Sequence, residues 1–93
     1  MNSYYRARHI LLEDFEDAQE MLDLLEQGNC FEELAQTYSE CDSAPKGGNL
    51  GKFRSGQMTA SFERALYRMS DNEISEPIKT EYGFHIIQKL KLD

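Results

Sequence analysis

Four side chains in this sequence have the means to act on a bond or on its electron distribution: the thiols of Cys30 and Cys41 and the imidazoles of His9 and His85. A cysteine beside a histidine is a nucleophile beside its base, the beginning of an acyl-transfer site. Completing such a site needs a third group to orient the imidazole and donors for an oxyanion, and no motif here marks either. Zinc is not indicated, because zinc ligands come as closely spaced pairs and these four residues do not. Gly48-Asn49-Leu50-Gly51-Lys52 has a superficial likeness to a phosphate-cradling loop. However, Phe53 stands where Ser or Thr must follow the lysine, and the first glycine of the longer motif is missing. No metal or cofactor is expected.

The elements that must hold these residues are legible from periodicity. Residues 6–12, Arg-Ala-Arg-His-Ile-Leu-Leu, suit a strand on which His9 and Leu11 share a face. Ala18, Met21, Leu22 and Leu25 then recur at helical spacing, with Asp14 placed to cap the first turn and Gly28 to close the last. A second, shorter helix carries Phe31, Leu34, Ala35 and Tyr38, starts near Asn29 or Cys30, and has Glu32 and Glu33 in its first turn. Residues 39–51 contain Ser, Asp, Pro and three glycines and read as loop with room for one irregular helical turn. Residues 50–53 form a short strand. Thr59 caps a third clear helix striped by Phe62, Ala65, Leu66 and Met69, which ends in the turn Ser70-Asp71-Asn72-Glu73. Residues 77–80 and 84–90 read as two strands joined by Glu81-Tyr82-Gly83. This order predicts an α+β domain whose helices cover a mainly antiparallel sheet.

Length and charge bound the rest. Ninety-three residues, 40% of them hydrophobic, suffice for one domain over residues 1–93 with one core. A formal charge of −7 at pH 7 repels phosphate backbones and anionic membrane surfaces, so neither nucleic acid nor membrane is an expected partner. No apolar run approaches the roughly 20 residues of a membrane span, and Met1-Asn2-Ser3-Tyr4-Tyr5-Arg6 lacks the apolar stretch of a signal peptide. Two cysteines are too few for a disulfide framework. A monomer in the cytosol is expected.

Five segments, in order and spacing, resemble the parvulin rotamases: Arg8-His9-Ile10-Leu11; Ser39-Glu40-Cys41-Asp42-Ser43; Gly47-Gly48-Asn49-Leu50-Gly51; Gly56-Gln57-Met58 followed by Phe62; and Thr80-Glu81-Tyr82-Gly83-Phe84-His85-Ile86-Ile87. The resemblance implies a four-stranded antiparallel sheet surrounded by about four helices, in the order β-α-α-α-β-α-β-β. It also implies peptidyl-prolyl cis/trans isomerisation of X-Pro bonds in polypeptide substrates without a covalent intermediate. A module that only binds proline-containing segments as a chaperone is the alternative. By the same resemblance His9, Cys41, Thr80 and His85 are the catalytic positions, and Leu50, Met58, Phe62 and Phe84 bind substrate. Two departures stand out. Asp42 occupies a position where relatives often have Pro. The loop after strand one, Glu13-Asp14-Phe15-Glu16-Asp17, is acidic where the phospho-directed branch is basic, so phosphoserine-proline specificity is not expected. That loop is instead expected to make one edge of the groove negative.

Overall fold

The structure, a computed structural model, describes residues 4–92. Its centre is a pair of long strands from opposite ends of the chain, β1 (Tyr4–Leu12) and β4 (Gly83–Leu90), antiparallel with Arg6 opposite Leu90 and Leu12 opposite Phe84. β2 (Asn49–Arg54) pairs with the free edge of β1, its register shifting between Arg6 and Arg8, and β3 (Ile78–Thr80) pairs with β4. The antiparallel order is β2-β1-β4-β3, so the expected four-stranded sheet is present.

Alternation along the central strands divides the core in two. Ile10, Leu12 and Ile86 face helices α1 (Phe15–Glu26) and α2 (Phe31–Tyr38) and pack with Ala18, Met21, Phe31, Leu34 and Ala35. Ala7 and Ile87 face the other way and pack with Phe53, Met69, and Phe62 and Leu66 of helix α3 (Ala60–Tyr67). Both faces of the sheet are therefore covered, and β1 buries residues of either parity.

The local signals act as expected in most places. Gly28 ends α1 at φ +98°, its N–H donating to the Leu25 carbonyl. The Thr59 hydroxyl accepts from the Phe62 N–H at 3.4 Å. Asp14 occupies the capping position of α1, but its side chain makes no capping bond. The third of the expected four helices is only a 3₁₀ turn over Ala44–Lys46, because Pro45 and the following glycines cannot continue an α-helix. Gly48 then runs at φ +80° with its carbonyl accepting from the His9 N–H at 3.0 Å, and an added Cβ would strike the His9 carbonyl oxygen. Only glycine lets this loop lie against β1. The strands also run slightly differently from expectation: β1 begins at Tyr4, and Pro77 lies outside β3.

Candidate active site

On the α3 face of the sheet a cleft of about 430 Å³ opens between the end of β1, the loop after α2, and the loop leading into α3. β1 contributes His9 and Leu11, the loop after α2 contributes Glu40, Cys41 and Asp42, and β2 contributes Leu50. Gln57, Met58, Thr59 and Phe62 form the opposite wall, and Tyr82 and His85 close the end. Phe62 is only 2% exposed, so it belongs to the core and forms the floor of the cleft at once, whereas Leu50 and Met58 are half-buried at its side.

His9 and His85 stand diagonally on the paired central strands and point to the same face, which brings their rings to a near-parallel stack with centroids 5.0 Å apart. Their Nδ1 atoms are hydrogen-bonded at 2.9 Å, and His85 Nε2 is bonded to the Thr80 hydroxyl at 2.7 Å. The Thr80 oxygen also accepts from the Tyr82 N–H, which locks the hairpin end to the histidine pair. Phe62 meets both imidazoles edge-on, with centroids 5.8 and 5.6 Å away. One proton bridges the two Nδ1 atoms, so a second cannot be placed between them without setting two N–H groups against each other. Burial pushes the pKa of His9 down to about 4, reinforced by the charge His85 would carry, and burial does the same to His85. Both rings are neutral at pH 7. The charged groups left along the cleft are the carboxylates of Glu40 and Asp42.

Two expected placements are not met. Strand alternation sends Phe84 to the opposite face from His85, where its ring packs edge-on against Phe15 at 5.7 Å, away from the cleft. The acidic loop around Glu13 and Asp17 lies on that far side too and does not line the cleft; the negative lip comes from Glu40 and Asp42. Cys41 lines the cleft, yet among the described residues its thiol has no hydrogen-bond partner; only its backbone is held, the N–H by the Ser39 hydroxyl at 3.4 Å and the carbonyl by the Ala44 N–H at 2.9 Å. A thiol not bonded to either imidazole is not an activated nucleophile, so the acyl-transfer arrangement is not assembled. Cys30 is exposed at the start of α2.

Sequence reasoning missed Gln57, Thr59 and Tyr82 as cleft residues, although Gln57 and Tyr82 lie within segments already singled out and Thr59 adjoins one. It also missed Glu63, 6% exposed, whose carboxylate faces the loop of Gln57 and Met58. An acidic residue in a helix's first turn is ordinary, and no periodicity distinguishes this one.

The antiparallel sheet thus holds a neutral, hydrogen-bonded histidine pair beneath a largely apolar cleft. Residues 13–91 match the family model described as Rotamase, PPIC-type PPIase domain, and the chain belongs to that family of peptidyl-prolyl cis/trans isomerases. It is 47% identical over 85 residues to the foldase protein PrsA of Bacillus subtilis, and 40% identical over 93 residues to the chaperone SurA of Burkholderia pseudomallei. Those matches cover 90% of this chain but 29% and 21% of the respective proteins, so the chain spans less than a third of the length of these relatives. Among solved structures, PrsA of Bacillus anthracis superposes with a TM-score of 0.92 at 42% identity, over 94% of this chain and 41% of that one. The parvuline of Nitrosopumilus maritimus gives 0.84 at 38% identity, over 95% and 96%.

Proposed function

We propose that the cleft is where an X-Pro bond is turned, with Leu50, Met58 and Phe62 holding the proline ring and His9, His85, Thr80 and Cys41 forming the polar side. The observation that carries this is the juxtaposition, within one cleft, of an apolar floor and a buried, uncharged hydrogen-bonded string. Amide rotation is slow because resonance sets a barrier of roughly 18–20 kcal/mol. No proton need be transferred, so groups that titrate near pH 4 are no handicap. The twisted amide has lost its resonance and much of its dipole, and a site that binds it better than either planar form accelerates rotation tenfold for each 1.36 kcal/mol of preference. An apolar floor disfavours the more dipolar planar forms. The linked rings of His9 and His85, pinned by Thr80 and braced by Phe62, keep that floor and the cleft wall at a fixed distance. The unengaged Cys41 thiol is free to act as a weak polar neighbour to the substrate carbonyl.

The lip formed by Glu40 and Asp42 supports a preference against Glu or phosphoserine beside the proline, and tolerance of Arg or Lys. The reading includes a monomer in the cytosol, the compartment being suggested by a sequence whose two cysteines are too few for a disulfide framework. A relative described as a chaperone favours a second reading, in which the cleft holds extended proline-containing segments without turnover. Exchange spectroscopy on an X-Pro peptide separates the two. Turnover adds cis/trans exchange peaks at catalytic amounts of protein, whereas holding only shifts the peptide signals.

A further inference from the structure

We propose that Glu63 is a positioning residue of the cleft: its carboxylate holds the loop that carries Gln57 and Met58 in the conformation that receives substrate. This deepens the isomerase reading and rests on it. Glu63 lies in the first turn of α3, just after Phe62, and reaches back over the start of its own helix. Both of its oxygens accept from the Gly56 N–H, at 2.9 and 2.8 Å, and Oε2 accepts from the Met58 N–H at 3.0 Å. The Tyr67 hydroxyl, one turn further along α3, donates to Oε1 at 2.6 Å, and the Ser55 hydroxyl lies 3.4 Å from the same oxygen and 2.8 Å from the Tyr67 oxygen. Donors from residues 55, 56, 58 and 67 thus converge on one carboxylate, and three of those residues belong to the loop between β2 and α3.

That loop has little else to hold it. It contains Gly56 at φ +97°, and its turn is closed locally by the Gln57 N–H donating to the Arg54 carbonyl and the Arg54 N–H donating to the Gln57 side chain. Its one apolar anchor is the half-buried Met58, which is itself cleft lining. Beside the Thr59 cap at the helix start and the Ser55–Tyr67 hydroxyl bond, the carboxylate is what ties the backbone at Gly56 and Met58 to α3. It also suits the position chemically, since it offers only acceptors and faces two backbone N–H groups and a Tyr67 hydroxyl that donates to it. Burial alone would raise the pKa of Glu63, but the bonds from Tyr67, Gly56, Met58 and Ser55 outweigh it and hold the carboxyl below its ordinary range. Replacing one oxygen by an amide nitrogen, as in Glu63→Gln, keeps the volume but removes the charge that strengthens these bonds and makes the Tyr67 and Ser55 hydroxyls accept where they now face an acceptor.

A loosened loop occupies the receptive conformation only part of the time, and apparent affinity falls by that fraction while the bound complex turns over as before. Glu63→Gln is therefore expected to raise KM about three- to tenfold with kcat within about twofold, both read by peptide exchange spectroscopy. Tyr67→Phe combined with Ser55→Ala removes two of the donors without burying a new polar group, so a smaller rise in KM is expected, and this variant decides the matter if Glu63→Gln does not fold. In either variant the backbone amides of Gly56 and Met58 should exchange faster with solvent while those of Ala7 and Ile87 stay protected. KM within twofold of the parent protein in a folded variant, or unchanged exchange at Gly56 and Met58, overturns the proposal. If the parent protein does not isomerise, the isomerase reading fails instead, and amide exchange still reports whether Glu63 orders the loop.

Discussion

Lowering the pH from 7 to 5 should destabilise this fold through two residues, His9 and His85, before most carboxylates titrate. Both imidazoles are nearly inaccessible, 4% and 5% exposed, and share a single proton across their Nδ1 atoms. Their folded pKa values sit near 4 against 6.5 for a free histidine. Below pH 6.5 the unfolded chain takes up protons that the folded chain refuses, so the stability contributed by the neutral rings is complete above pH 6.5 and is lost as pH falls toward 4. Each pH unit inside that window costs about 1.4 kcal/mol per histidine, which for the pair between pH 6.5 and 5 gives an upper bound of about 4 kcal/mol. The cleft gives these rings some access to water, and screening there reduces the expected loss to about 2 kcal/mol. Against a total stability of about 5–15 kcal/mol for a domain of this kind, that is a large share. Urea denaturation at pH 7, 6 and 5 measures the loss, and the imidazole C2–H signals followed by NMR give the native pKa values directly. Stability flat across this range, or native histidines titrating at or above 6.5, would refute the reasoning.

Three further outcomes are expected. Phe62→Ala removes a ring that is core as well as floor, so it should cost about 3–5 kcal/mol in urea denaturation, whereas the half-buried Met58→Ala should mainly raise KM. Cys41→Ser and Cys41→Asp should both keep measurable isomerase activity, because the thiol is bonded to neither histidine; complete loss in both folded variants would revive covalent catalysis. Arg-Pro peptides should be processed severalfold faster than Glu-Pro or phosphoserine-Pro peptides. The difference should shrink as salt rises and as Glu40→Gln and Asp42→Asn are introduced, since exposed charges a few ångströms apart interact by only about 1 kcal/mol and are screened over about 10 Å at 0.1 M salt.

Much of the fold is readable in the sequence because its signals are local. The helical stripe of Ala18 and Met21, the Thr59 cap and the Gly28 stop each depend on a few neighbouring residues, and the structure keeps them. The union of β1 with β4 is not local. It joins residues 72 positions apart at Leu12 and Phe84 and 84 apart at Arg6 and Leu90, and strand periodicity alone names no partner, so only the resemblance to a known family brings His9 to His85. Phe84 is the instructive failure. Side chains alternate along a strand, so Phe84 and His85, as neighbours in one strand, cannot face the same cleft, and their adjacency in the sequence already implies as much. The acidic lip comes from a different segment than the one expected, because the course of a loop depends on what it packs against and the residues around Glu13 carry no such information. Glu63 is invisible in the sequence for a related reason. Its importance lies in which backbone N–H groups reach it, and a turn around Gly56 leaves only a weak trace in residue types.

The central claim is that this cleft turns X-Pro bonds, and two-dimensional exchange NMR on an Ala-Pro peptide tests it most directly because no protease or coupled reaction intervenes. The spectrum should show cis/trans exchange peaks at protein concentrations far below that of the peptide, diminished by Met58→Ala and by His85→Ala in variants that remain folded. Peptide signals that shift on addition of protein without any exchange peaks, or exchange that survives both variants undiminished, would contradict it.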